Sequence, residues 1–281
     1  MRLLKYSLLF LMLTNVVLAK TDAGEIAYPP DIQRIRDRGK LIVAMYSVDT
    51  PPLFMVDKKG ELTGYDVEMA TAIAKRLGVE LEFNRTPDTF DEVVNTVARH
   101  EADLAVSMIS RTLKRSEIVR FSDPYLILKP VLLVNRLDMP EGGSNNEIIR
   151  ILRGRKVIVG EQEATSYMGM ARDFFPKGII KGYPLWADVV NALLKREVNT
   201  YLRDEVGVWN LSLKSPEVFL HLKLIELDSP RDSISIVLPY DSTHLLEWIN
   251  IFISDFYPPG PVDELLKRYS YLYEKEKGSK K

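Results

Sequence analysis

Cysteine is absent from this chain of 281 residues, and histidine occurs only three times. Without a thiol the chain has no disulfide scaffold, no Cys-ligated zinc or iron–sulfur site, no thiol nucleophile and no lipoprotein anchor. The histidines, His100, His221 and His244, are dispersed and lack the spacing of a metal-binding motif. The sequence therefore predicts no metal site and no cofactor.

The chain also lacks an excess of charge of one sign. It contains 38 Lys and Arg and 39 Asp and Glu, which gives a net charge of −1. A protein that binds nucleic acid through bulk electrostatics needs a marked basic excess, so no nucleic-acid partner is expected. The sequence contains no Walker loop, Gly-x-Gly-x-x-Gly, Gly-x-Ser-x-Gly or His-Glu-x-x-His motif. These absences exclude the enzyme classes that such motifs identify.

Long hydrophobic runs are confined to the N-terminus. Met1–Ala19 combines a basic start, an apolar core from Leu8 to Leu13 and small or modest residues before Ala19. This pattern predicts a signal peptide cleaved after Ala19. The alternative, a membrane anchor, needs about 20 apolar residues, more than the run provides. Cleavage leaves 36 basic against 39 acidic residues, a net charge of −3 on an exported, soluble protein.

Strand and helix patterns alternate along the mature chain. Leu41–Met45 is a continuous apolar run typical of a strand buried on both faces. Asp66 is a candidate N-cap for a helix that Gly78 ends. The next elements are a strand over Val79–Phe83, a helix over Phe90–His100 and a strand over Ala102–Val106. This alternation predicts an α/β fold with a mainly parallel sheet.

A short internal repeat suggests two similarly built halves. Residues 90–108 (FDEVVNTVARHEADLAVSM) align without gaps to residues 186–204 (WADVVNALLKREVNTYLRD), with four identities and an aromatic residue at each start. Four identities also arise by chance, but the offset of 96 is the size of one lobe. Ligands bind beyond the carboxyl ends of strands in open α/β sheets. We therefore expect Ser107–Ser110 and Arg203–Asp204 to face each other across a cleft between lobes.

Several motifs in the mature chain give the sequence a family resemblance. They are Gly60–Asp66 (GELTGYD), Asp103–Val106 (DLAV), Ser110–Arg115 (SRTLKR), Val119–Tyr125 (VRFSDPY) and Val198–Asp204 (VNTYLRD). With them the chain resembles the periplasmic amino-acid-binding proteins, the solute-binding receptors of polar amino-acid ABC importers. The resemblance extends from about Ile32 to Tyr269.

The resemblance implies a two-lobed periplasmic-binding-protein fold of type II, with a mainly parallel sheet flanked by helices in each lobe and a ligand cleft between them. It implies a signal peptide over 1–19, lobe 1 over 26–132 and 230–281, and lobe 2 over 133–229. Crossovers are expected near Leu132–Asn135 and Leu224–Ser233.

The resemblance also implies the residues that hold an amino acid by its two charged groups. Arg115 matches the arginine that binds the carboxylate, and its planar fork can hold both oxygens at once. Ser110 completes that cradle, and Asp204 on the opposite lobe binds the ammonium. The alternatives are a solvated Arg115 and an Asp204 that only caps a helix; Thr112 is expected to be such a cap.

The remaining site residues are less well defined by the resemblance. Phe90 is either an aromatic packed over the ligand or a core residue, and Met108 and Ser107 are candidates for the ammonium. In lobe 2 the usual Gly-Ser/Thr-Thr turn is missing between Val157 and Ser166, so Thr165, Ser166 or neither contacts the carboxylate. Thr50 replaces an aromatic, with Phe54 or Tyr46 as a substitute. Ser47 replaces the acid of many receptors for cationic ligands.

The expected function is a monomeric periplasmic receptor that captures an amino acid or similar zwitterion by cleft closure and delivers it to the permease of an importer. The alternative is an exported dehydratase acting on prephenate- or arogenate-like acids. Such an enzyme needs an acid/base group beside its substrate, and Glu161 or Glu163 is the candidate.

Overall fold

The computed structural model describes residues 27–139, 143–228 and 231–272. The expected signal peptide over 1–19 and its cleavage after Ala19 lie outside these ranges. Within them, no helix has the length and apolar character needed to cross a membrane.

The first sheet contains strands from both ends of the described chain. Its order is β4-β1-β5-β12-β6, with β1 parallel to β4 and β5, and with β12 antiparallel to β5 and β6. The elements of this lobe 1 are α1 (Pro30–Arg38), β1 (Lys40–Ala44), β2 (Met55–Val56), β3 (Leu62–Thr63), α2 (Tyr65–Leu77), β4 (Glu80–Asn84), α3 (Phe90–Ala98), β5 (Leu104–Ala105), α4 (Leu113–Ser116), β6 (Val119–Leu128), β12 (Asp232–Pro239), α9 (Thr243–Phe256) and α10 (Val262–Arg268).

The second sheet is built from one contiguous stretch of chain. Its order is β11-β7-β10-β8-β9, with β8 parallel to β9 and β10, and with β7 antiparallel to β10 and β11. The elements of this lobe 2 are β7 (Pro130–Asn135), α5 (Asn145–Gly154), β8 (Ile158–Gln162), α6 (Ser166–Phe174), β9 (Ile179–Tyr183), α7 (Trp186–Leu194), β10 (Thr200–Asp204), α8 (Glu205–Lys214) and β11 (Leu222–Glu226).

The chain crosses between the two sheets twice. The first crossing is at Lys129, between β6 and β7, three residues before the expected segment Leu132–Asn135, which instead lies within β7. The second crossing lies between β11 and β12, inside the expected segment. The limits 26–132, 133–229 and 230–281 divide the chain close to these crossings and stay a proposal for the domain boundaries.

Each lobe has its own apolar core on both faces of its sheet. Along β7, Leu132 and Val134 pack into one cluster of lobe 2 while Val131 and Leu133 pack into another. This is the period-2 alternation of a strand covered by helices on both sides. The continuous apolar run that begins at Leu41 serves the same purpose in lobe 1.

The internal repeat is a structural one. Helices α3 and α7 begin and end 96 residues apart, and each is followed by a residue in the left-handed region, His100 at φ 59° and Arg196 at φ 62°. In both lobes a polar side chain before the next strand, Asp103 or Asn199, accepts a hydrogen bond from a backbone N–H of the neighbouring strand. The two lobes are therefore similarly built, as expected.

The expectation that Asp66 caps α2 is wrong. The helix begins at Tyr65 after Gly64, and Asp66 lies in its first turn, fully buried. A side chain at Gly64 would place its Cβ 2.4 Å from the carbonyl oxygen of Leu53, which is why glycine starts this helix. Asp66 instead accepts a hydrogen bond from the backbone N–H of Met108 at 2.9 Å.

Candidate functional site

A cavity of about 680 Å³ lies between the lobes, at the carboxyl ends of β5 and β10. A volume of this size is in the range of small-molecule sites. Of the seven residues predicted to bind the ligand, six line it: Phe90, Met108, Ser110, Arg115, Thr165 and Asp204. The exception is Ser107, which is fully buried and whose hydroxyl accepts the backbone N–H of Tyr46 at 2.9 Å.

Arg115 is buried and held in one orientation. Thr112 caps the short helix α4, with its hydroxyl accepting the backbone N–H of Arg115 at 3.2 Å, as expected. The guanidinium donates to Asp91 from Nε at 3.0 Å and from Nη2 at 2.8 Å, and to the carbonyl of Ser110 from Nη1 at 3.0 Å. Arg115 is 7% exposed, so it is not a solvated surface arginine. Its remaining N–H groups are available to an anion.

Asp204 combines two roles with its two oxygens. It is 1% exposed and its Oδ1 accepts the backbone N–H of Gly207 at 2.7 Å, which caps α8. Its Oδ2 lies 3.6 Å from Nε of Arg203, too far for a hydrogen bond. The cap therefore leaves one carboxylate oxygen available to a cationic group in the cavity.

A chain of hydrogen bonds connects the lobes beside these two residues. The Ser166 hydroxyl of lobe 2 donates to Ser110 at 2.8 Å, and Ser110 donates to Oδ2 of Asp232 at 3.0 Å. Burial, followed by the charge of Asp204, raises the pKa of Asp232 to about 6, against the lowering effects of Ser110 and Arg115. Asp232 has no local sequence motif, because it joins the site only through the position of β12 beside the second crossing.

The turn of lobe 2 that lacks the usual Gly-Ser/Thr-Thr sequence still has a backbone conformation that glycine favours. Ala164 occupies the left-handed region at φ 55°, and the Thr165 hydroxyl donates to the carbonyl of Gln162 at 2.7 Å. Thr165 therefore closes its own turn, while the neighbouring Ser166 contacts lobe 1. In lobe 1, Met108 also has a left-handed backbone, at φ 52°, fixed by its bond to Asp66.

Aromatic side chains from both lobes wall the cavity. Phe90 packs against Tyr46 with ring centroids 4.6 Å apart, so Tyr46 takes the place of the missing aromatic of lobe 1. Three further aromatic residues that the family motifs do not contain as ligand contacts line the same cavity: Trp186, Tyr167 and Tyr201. The signal for Trp186 was present, since it is the counterpart of Phe90 in the internal repeat.

The two acids considered for catalysis lie elsewhere. Glu161 is fully buried, its Oε1 accepts the backbone N–H of Leu202 at 2.8 Å, and burial raises its pKa well above the usual range. Glu163 is exposed. Neither glutamate is among the described residues that line the cavity.

Comparison with known proteins places the chain in a family. Residues 42–271 match the model for bacterial extracellular solute-binding proteins, family 3. The chain belongs to this family. It is 31% identical over 150 residues to the probable ABC transporter extracellular-binding protein YckB of Bacillus subtilis, covering 53% of this chain and 50% of that protein. It is 34% identical over 158 residues to the membrane-bound lytic murein transglycosylase F of Saccharophagus degradans, covering 56% of this chain and 29% of that protein.

The chain thus spans half of the first relative and less than a third of the second. Among solved structures, it is similar to the amino acid ABC transporter substrate-binding protein AbpA from Streptococcus pneumoniae, bound to L-arginine. The TM-score is 0.66 at 29% identity, over 86% of this chain and 98% of that one. The two-lobed fold is that of the periplasmic amino-acid-binding proteins.

Proposed function

We propose that this protein is an exported receptor that binds an amino acid or a similar small zwitterion and delivers it to an ABC importer. The observation that carries the proposal is the placement of two buried, oppositely charged groups, Arg115 and Asp204, on opposite lobes of one cavity. An α-carboxylate fits the free N–H groups of Arg115, and an α-ammonium fits the free oxygen of Asp204.

The same placement couples binding to the relative position of the lobes. Only the form in which both lobes contact the ligand satisfies both of its charges, so the ligand has a higher affinity for the closed form. A ligand shifts a conformational equilibrium by its differential affinity for the two states. Ser110 and Ser166, which already bond across the cleft, are proposed to complete the carboxylate cradle.

The name of YckB and that of AbpA support the delivery step, since both are described as ABC transporter binding proteins. The N-terminal pattern supports export to the periplasm with cleavage after Ala19. The proposed processing is checked by intact-mass measurement of the exported protein, which is expected to begin at Lys20.

A dehydratase is not proposed, because its acid/base candidates Glu161 and Glu163 do not line the cavity.

The binding test is a thermal-shift screen of the mature protein against the natural L-amino acids and against prephenate. A ligand at 100 times its Kd stabilises the folded state by about 2.7 kcal/mol, which is readily measured. We expect at least one L-amino acid to give this shift, and Arg115→Ala to abolish it. The matched control is Arg150→Ala, because Arg150 is an exposed arginine on lobe 2 away from the cavity.

A wild-type protein that no amino acid stabilises would contradict the proposal. Retention of near-wild-type affinity by Arg115→Ala would contradict the site assignment. Turnover of prephenate by the purified protein would show that the protein is a dehydratase and not the proposed receptor.

A further inference from the structure

We propose that Arg203 is the residue that selects the ligand's side chain, and that it favours amino acids whose side chain ends in a carboxylate or a carboxamide. The inference rests on the proposed function and adds the substrate class. It is independent of the residues that hold the α-carboxylate and the α-ammonium.

The guanidinium of Arg203 is packed against two other elements of lobe 2. Its Cζ lies 3.9 Å from the centre of the Trp186 ring, a cation–π stack. It also lies against Gly207, where an added Cβ would come within 2.0 Å of Nε and 2.7 Å of Cζ of Arg203. The absence of a side chain at Gly207 thus makes the space that the guanidinium fills. Both contacts are with other elements, α7 and α8, so the orientation is fixed before a ligand arrives.

This packing leaves the polar edge of Arg203 without a hydrogen-bond acceptor in the described part of the protein. The nearest carboxylate oxygen, Oδ2 of Asp204, is 3.6 Å from Nε and lies outside hydrogen-bond range. The side chain is only 16% exposed and lines the cavity. Donors that are removed from water and left unpaired are costly, so an acceptor on the ligand stabilises the bound state.

The two arginines differ in their surroundings. Arg115 in lobe 1 is hydrogen-bonded to Asp91 and to the Ser110 carbonyl, whereas Arg203 in lobe 2 has an ion pair with Asp204 at 3.6 Å and no hydrogen bond to any described residue. With the α-carboxylate on Arg115 and the α-ammonium on Asp204, the acceptor that Arg203 requires comes from the ligand's side chain. A planar guanidinium can bind a carboxylate or a carboxamide oxygen through two N–H groups.

A cationic side chain is disfavoured at the same place. It would face the charge of Arg203, and the two acids of lobe 1 that line the described cavity, Asp49 and Asp232, already have partners. Ser47 occupies the position of the acid found in many receptors for cationic ligands, and Asp49 is held by Arg85 at 2.9 Å and by the backbone N–H of Val56 at 3.1 Å. Asp232 is bonded to Ser110, and a further acid of the wall, Glu217 of lobe 2, is exposed to solvent.

Calorimetric titration of the full mature protein tests the inference with four ligands: L-glutamate, L-glutamine, L-alanine and L-arginine. The wild type is expected to bind glutamate or glutamine at least tenfold more tightly than alanine or arginine. The comparison of glutamate with glutamine distinguishes a carboxylate from a carboxamide. Arg203→Gln is expected to remove the preference while changing alanine affinity less than threefold, and the control Arg150→Gln is expected to behave as wild type.

A second variant displaces the guanidinium without removing its charge. Gly207→Ala places a methyl group where Nε lies, so it is expected to lose the preference as Arg203→Gln does, with far-UV circular dichroism confirming the fold. Tighter binding of arginine or alanine than of glutamate and glutamine by the wild type would overturn the inference. So would a preference that survives in Arg203→Gln. If the wild type binds no amino acid, the proposed function fails and the inference fails with it.

Discussion

Asp66 is a carboxylic acid with no access to solvent, although aspartate is among the residues least often buried without a charged partner. Its Oδ2 accepts the N–H of Met108 and its Oδ1 accepts the hydroxyl of Tyr125 at 3.1 Å. Burial raises its pKa to about 7, and these two bonds oppose the rise. The acid thereby connects α2 to the loop that carries Met108 and to β6, and holds the left-handed turn beside the cavity.

This pKa predicts a pH dependence of stability. An unfolded aspartate has a pKa of about 3.9, so between about pH 4 and pH 7 the native state binds more protons at Asp66 than the unfolded state. Stability from this group is therefore present below about pH 4 and is lost as the pH rises to about 7. We expect the unfolding free energy of the wild type, minus that of Asp66→Asn, to fall over this range and to level off above it.

Urea unfolding at several pH values between 4 and 8 measures this difference. Glu80→Gln is the control, because Glu80 is an exposed acid at the start of β4. A constant difference between wild type and Asp66→Asn across the range would show that Asp66 does not titrate there.

At the residue scale, the sequence predicted the groups that lie within one continuous motif. Thr112, Ser110 and Arg115 are neighbours in the chain. One motif therefore predicted both the helix cap and the two residues that bind the carboxylate. Arg203 was expected at the cleft, but its role could not be predicted because it depends on a stack with Trp186, and Asp232 was not predicted because it depends on the path of β12. Ser107, also predicted at the site, does not line the described cavity, and its buried hydroxyl accepts the backbone N–H of Tyr46.

At the scale of elements, α3 and α7 are matched in length and position but not in their capping. Thr89 precedes α3 and its hydroxyl accepts the backbone N–H of Glu92 at 3.0 Å. Its counterpart before α7 is Leu185, with φ −128° and ψ 148° and no side-chain cap, although Thr89 has nearly the same backbone at φ −139° and ψ 158°. The backbone geometry for a cap is present at α7, and the side chain is not.

We therefore expect Leu185→Thr to stabilise the protein and Thr89→Ala to destabilise it, each by about 1 kcal/mol. Leu185 is 52% exposed, so little apolar burial is lost by the change. Urea unfolding of both variants and of the double variant measures the effects, which are expected to add because the two caps lie in different lobes. If the Leu185→Thr variant is no more stable than wild type, the expected gain from the cap is absent or is offset by lost packing of the leucine side chain.

Element types were predicted better than element ends. The helix predicted over Phe90–His100 ends at Ala98, because the residues after it turn into the left-handed conformation at His100. The strand predicted over Ala102–Val106 is paired only over Leu104–Ala105. In both cases the apolar pattern continues beyond the hydrogen bonding, and tertiary pairing decides where an element stops.

At the scale of the whole molecule, the lobes contact each other at both ends of the cavity. Ser166 bonds to Ser110 near the crossings, and Nδ2 of Asn210 donates to the carbonyl of Pro51 at 2.6 Å on the other side. Both bonds join lobe 2 to lobe 1. Opening of the cleft would break both of them.

We expect the double variant Ser166→Ala, Asn210→Ala to shift the ligand-free protein toward the open form. One hydrogen bond contributes about 0.5–1.5 kcal/mol, so each loss changes the ratio of the forms about twofold to tenfold. Small-angle X-ray scattering is expected to give a larger radius of gyration for the variant without ligand, and the wild-type radius with saturating ligand. Ser254→Ala is the control on the surface of α9. Identical scattering of wild type and double variant without ligand would contradict the role of these bonds.

The threading of the chain between the two sheets sets an order for folding. All five strands of lobe 2 are synthesised in one stretch, from Pro130 to Glu226, whereas β12 must insert between β5 and β6 before the sheet of lobe 1 is complete. A growing chain can therefore complete the sheet of lobe 2 first, whereas the sheet of lobe 1 stays incomplete until residues 232–239 have been made. The sheet of lobe 1 is therefore the last sheet of the described fold that the growing chain can complete.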